Sequence, residues 1–116
     1  MISAITGLKG PYILSWEEIG RTVQRASPGV FVLGTFETVL SRPSIVGRSD
    51  TDLAKRLLAY TGFDTHFGFS LCPSAEVAFL AECELFHDLQ PAFSLLHPEL
   101  PEGYDLQCPR CAKLSY

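Results

Sequence analysis

The chain lacks several things that would have assigned it quickly. None of its 116 residues belongs to an apolar run of 18 or more, so no membrane-spanning helix is expected. Charged residues are scarce at 19%, and the net charge is −4, so a broad basic surface for gripping nucleic acid is excluded. The first sixteen residues carry only Lys9 as a basic side chain and show no small-residue cleavage site, so no secretory leader is read and a cytoplasmic location is expected. There is no internal repeat and no low-complexity tract. What is present is a 47% apolar composition, which argues against disorder. At this mass, about 6,300 Å² of folded surface would replace about 18,600 Å² in the unfolded chain, enough burial for one core. A single domain over residues 1–116 is expected, with residues 15–94 as its body and 95–116 as a tail.

Four cysteines stand at 72, 83, 108 and 111. The number allows a disulfide framework, but without a leader the Cys108-Pro109-Arg110-Cys111 spacing reads as metal or redox chemistry. A redox pair normally opens a helix directly after a strand. This one follows a loop rich in proline and glycine near the chain end, which favours zinc. Two thiolates from one knuckle need two more donors for a tetrahedral site. His87 and His97 are the candidates, with Cys83, one turn before His87, in reserve. Such a site would be structural. A small redox or zinc-sensing protein is the reading that rests on this pair alone.

Local signals set the remaining order. Residues 1–14 read as an irregular lead-in. Ser15 to Glu18 forms a capping box that opens a helix reaching about Arg25, with Trp16, Ile19 and Val23 on one face. Gly29 to Phe36 is a β-rich apolar run, Ser44 to Gly47 a second short strand, and Thr65 to Leu71 a third. Ser49 to Asp52 looks like another capping box before a helix that Gly62 ends. Pro73-Ser74 starts a long helix to about Leu89, whose inward face carries one carboxylate, Glu82. The expectation is an α+β fold: a small three-stranded, mainly antiparallel sheet flanked by helices, with a zinc-clipped C-terminal tail.

Gly29-Val30-Phe31, Ile45-Val46-Gly47 and Glu82 followed by Leu85-Phe86 and Pro91 occur in an order that resembles the GIY-YIG nuclease superfamily, over roughly Gly29 to Ser94. With its His/Cys tail the chain looks like a group of small bacterial GIY-YIG-like proteins. The resemblance implies an Mg²⁺- or Mn²⁺-dependent endonuclease. Glu82 would hold the catalytic cation, Arg56 would clamp phosphate, and Arg48 would touch it. The family's two motif tyrosines are Phe31 and Ile45 here, and its late asparagine is Ser94. Tyr60, one turn after Arg56, and His66 are the substitutes for the missing base. Two functions follow: a phosphodiesterase with a rerouted base, or a degenerate nuclease-fold module that binds nucleic acid, nucleotide or protein. Arg42, Lys55, Arg56 and Arg48 would give only a local basic footprint, hence weak, salt-sensitive binding of nucleic acid. The plainer readings are an ion pair from Glu82 to Arg48 or Arg56, a rim position for Tyr60 and a water-facing His66.

Overall fold

The computed structural model describes residues 7–23, 26–93 and 97–114. The expected helix end at Arg25 and the position of Ser94 lie outside the described residues. Eight elements follow one another: β1 (Lys9–Ile13), α1 (Trp16–Thr22), β2 (Gly29–Gly34), β3 (Ile45–Ser49), α2 (Leu53–Leu58), β4 (His66–Leu71), α3 (Ala75–Leu89) and α4 (Pro109–Leu114). The fold is α+β, with one antiparallel sheet in the order β1-β4-β2-β3.

The sheet therefore has four strands rather than three. The additional strand, β1, lies in the segment that reads as irregular from sequence, because Gly10-Pro11 signals a loop. At an edge, a proline costs no ladder bond if its missing N–H faces outward. Gly10 has φ +128°, and a Cβ there would approach the Phe67 carbonyl oxygen to 2.9 Å, so glycine is required. The pairing shifts between Lys9↔Phe69 and Tyr12↔Phe67, which lets the strand pass that point.

Both faces of the sheet are covered, and strand alternation divides the core. Phe31, Leu33, Phe67 and Phe69 point to one side and bury Ile19 of α1 with Leu53 and Leu57 of α2. Val30, Val32 and Val46 point to the other and meet Leu85 of α3. This explains why β2 is apolar throughout: all six of its residues are buried. Gly47 lies opposite Phe31 in the β2–β3 register. A Cβ at Gly47 would stand 2.5 Å from the Phe31 ring, so the ring occupies the space a side chain would need.

The caps follow the local chemistry with one shift. Ser15 and Ser74 accept from the amides of Glu18 and Val77, each at 3.2 Å. In α2 the cap is Asp52, which accepts from Lys55 N, while Ser49 braces the turn by accepting from Asp52 N. Trp16 is not on the buried face of α1; it is 70% exposed. Gln90 ends α3 in the left-handed region at φ 47°. Beyond it, Cys108 is buried against Phe79 and Cys83 of α3, so the tail returns to that helix. Among the described residues no helix is long and apolar enough to cross a membrane.

Candidate functional site

The last two turns of α3 and the start of α4 bring four metal-type side chains together. His87 comes from α3, Cys108 and Cys111 from the knuckle that opens α4, and His97 from the connection between them; their donor atoms all lie within 4.8 Å of one another. The two Nε2 atoms of His87 and His97 are 3.4 Å apart, and Cys111 Sγ is 3.5 Å from each. For tetrahedral zinc, the usual bond lengths require edges of about 3.3 Å between two nitrogens and about 3.6 Å between nitrogen and sulfur. The three separations among His87, His97 and Cys111 match those edges, and with Cys108 the four residues are close enough to hold a metal ion and are compatible with zinc.

The surroundings suit the same purpose. His97 Nδ1 lies 3.0 Å from the Pro98 carbonyl oxygen, which only accepts, so Nδ1 donates there and Nε2 is the ring nitrogen turned to the cluster. The edge of Phe86 packs on both imidazoles, at centroid distances of 5.4 Å. Burial works against ionisation of Cys108. It is outweighed by hydrogen bonds from the Cys111 backbone, the His97 and Cys83 side chains and the Arg110 backbone, so the thiol is brought down to about 6. A thiolate is the form that binds metal. Cys83 is not one of the four. It is fully buried behind Cys108, and burial pushes its thiol well above the ordinary value. Arg110, inside the knuckle, pairs with Asp88 and with Glu84 of α3, one helical turn apart. That clamp was absent from the sequence reading. The signal for it was an acidic i,i+4 pair on α3 beside an arginine between two cysteines.

Beside the cluster lies a cleft of about 650 Å³ along the outer edge of β3. Arg48 and Glu82, both nearly buried, form its floor, and Arg56, Tyr60, Phe93 and His97 line it as well. The resemblance-based candidates Arg48, Arg56, Tyr60 and Glu82 are thus brought together. Arg42 and Lys55 do not line the cleft. Neither does His66: it sits at the start of β4 opposite Gly34, with its ring edge on Phe36 at 5.5 Å and Nδ1 on Thr65 Oγ1 at 3.0 Å. The expected role of His66 as a base in the cleft is therefore overturned by the strand that carries it to another part of the surface.

The floor is an internal ion-pair chain. Arg48 donates from Nε to Asp50 at 2.6 Å and from Nη1 to Glu82 at 2.8 Å, and its guanidinium lies over the Phe79 ring at 5.3 Å. The Arg48 and Glu82 side chains are 11% and 12% exposed. Burial pushes the Glu82 carboxyl above its ordinary range despite the hydrogen bond and charge of Arg48. Asp50 is a partner that the sequence reading missed; an oppositely charged residue two positions along the same strand end was its only signal.

Arg56 is exposed and makes no ion pair among the described residues; its guanidinium lies 5.8 Å from the Tyr60 ring centroid. Tyr60 in turn meets Phe31 at 5.4 Å. Phe31 is fully buried and, like Ile45, carries no hydroxyl. No family model, no curated protein and no solved structure matches this chain.

Proposed function

We propose that this chain is a zinc-clipped domain on a GIY-YIG-like frame that binds a phosphate-bearing ligand, nucleic acid or nucleotide, in its cleft without cutting it. The observation that carries this reading is the division of labour between two arginines. Arg48 is committed to Glu82 and Asp50, whereas Arg56 presents its guanidinium at the rim. A planar donor fork of that kind suits phosphate oxygens.

Hydrolysis would ask more. A hard cation such as Mg²⁺ takes carboxylate and water oxygens, and the buried carboxylate here, Glu82, is held by Arg48. A general base contributes about 10²–10⁴-fold in rate, and both motif positions lack a hydroxyl. The four-donor cluster, once filled by zinc, has no open coordination position, which makes it a structural site.

The test combines cleavage and binding. Purified chain is incubated with single- and double-stranded DNA and RNA in Mg²⁺ and in Mn²⁺, with Glu82→Gln as the contamination control. No cleavage is expected. Binding of labelled oligonucleotide is expected to fall roughly 10-fold in Arg56→Ala, the ordinary loss of one charge-assisted contact. Cleavage by the parent chain that Glu82→Gln abolishes would replace this reading with a metal-dependent phosphodiesterase using Tyr60.

A further inference from the structure

Phe93, which lines the cleft, and Phe63 next to it present more exposed aromatic surface than a phosphate clamp needs. Phe63 and Phe93 are 53% and 66% exposed. They are not isolated. Tyr60 meets Phe63 at 6.2 Å and 86°, and Phe63 meets Phe93 at 6.4 Å and 85°. Arg56 lies over the Tyr60 face at the start of this series. The result is a run of rings from the Arg56 guanidinium through Tyr60 and Phe63 to Phe93.

Phe93 is held in place. Its amide donates to the Ser44 carbonyl at 2.7 Å, just before β3 begins. Four positions later His97 belongs to the metal cluster. A large apolar ring kept in water by its own backbone bond forgoes the burial that a freer loop would find for it. Such a ring is a preformed stacking surface.

From this we infer that the ligand of the cleft is single-stranded nucleic acid, with an unpaired base stacked on Phe93 and its phosphate on Arg56; the inference rests on the phosphate-binding reading above. Stacking needs a base whose face is free, which a duplex does not offer. Charge favours the same choice. Glu99 lines the cleft as well as Arg56, and the chain carries a net charge of −4. One free guanidinium facing an acidic wall suits one backbone and repels a second. The footprint is correspondingly small, one or two phosphates, and the slope of log affinity against log salt should be about −1 for a single strand.

The experiment uses the full zinc-loaded chain and a fluorescein-labelled oligo(dT) of roughly ten nucleotides. An abasic strand of equal length and the same strand in a duplex are run beside it. Phe93→Ala is the test variant; its side chain is exposed, so the fold is retained. Phe36→Ala is the control, because Phe36 is equally exposed but sits beside His66, away from the cleft. Oligo(dT) should bind more tightly than the abasic strand and the duplex. Phe93→Ala should weaken it by about 5- to 150-fold, the range for losing one base–aromatic stack, and Phe36→Ala should leave it unchanged. Equal binding of the abasic strand, indifferent to Phe93→Ala but weakened by Arg56→Ala, overturns the stacking inference and leaves the phosphate reading in place. Binding of no strand at all overturns the inference, and failure of a mononucleotide to bind in the same assay removes the phosphate reading as well. Self-association abolished by Phe93→Ala, with no strand bound, assigns the rings to a protein contact and overturns the inference.

Discussion

Serine in place of Cys111 is expected to reduce bound zinc from about one equivalent per chain to a trace, and to abolish the thermal stabilisation that zinc confers on the parent. Structural zinc contributes on the order of 10–16 kcal/mol in small finger peptides. The usable effect here depends on free metal: zinc held at 1,000 times its Kd stabilises by about 4 kcal/mol. At about 4 °C per kcal/mol for a domain of this size, the parent's Tm should rise by roughly 15 °C on metal addition. Cys111 is half-buried and His97 exposed, so Cys111→Ser and His97→Ala remove a donor without opening the core. Both should leave the metal-free Tm near that of the metal-free parent and flatten the response to zinc. Metal analysis of purified protein and a melting curve with and without zinc decide the matter. A parent chain that is metal-free and indifferent to added zinc would sink the assignment.

Methionine in place of Arg48 is expected to cost about 3–5 kcal/mol at pH 8, the usual penalty for stranding one partner of a buried pair. The stem can still lie on Phe79, but Glu82, 12% exposed, is left without its counter-charge. The loss should depend on pH in a defined direction. Burial already raises the Glu82 carboxyl above its ordinary value near 4.5, while Arg48 holds it down. In the window above that value the folded state binds more protons than the unfolded state, so stability falls as pH rises through it. Removing Arg48 takes away the hydrogen bond and most of the charge that lower the carboxyl and extends the window upward. The deficit relative to the parent should therefore be smaller at pH 5 than at pH 8 in urea unfolding at saturating zinc. Adding Glu82→Leu to Arg48→Met should recover most of the loss and erase the pH dependence. A variant as stable as the parent at pH 8 would show that the pair contributes nothing.

Features coded over a few residues were legible in the sequence. Ser15 and Ser74 cap their helices because a side-chain oxygen needs only an amide three residues on. The apolar β2 run was readable because a strand buried on both faces carries no polar alternation. The candidate metal set was readable because a two-residue cysteine spacing forces both sulfurs to one side, and few histidines stand within reach. What was hidden depends on neighbours distant in the chain. Gly10-Pro11 is a loop signal by local chemistry, and only pairing with β4 makes it an edge strand. Asp52 rather than Ser49 became the α2 cap because Ser49 lies at the end of β3 and can still brace the turn from there. His66 looked available for chemistry until the sheet order carried it to Phe36. The commitment of Arg48 to Asp50 and Glu82 also needed β3 and α3 in place; only then could the two arginines be told apart.

His97 belongs to two structures at once: it is one of the four metal-type donors and it lines the cleft. Occupancy at one can then be felt at the other, and thermodynamic linkage makes any such influence mutual. If filling the cluster fixes the wall that carries His97, chelation weakens ligand binding, and bound ligand tightens metal binding by the same free energy. The zinc affinity, measured by competition with a chelator with and without saturating oligo(dT), reads the coupling directly; equal affinities would mean that the two sites share a residue but no energy. Cellular zinc supply would then act on this domain as a dial on its affinity, although the ion never touches the ligand.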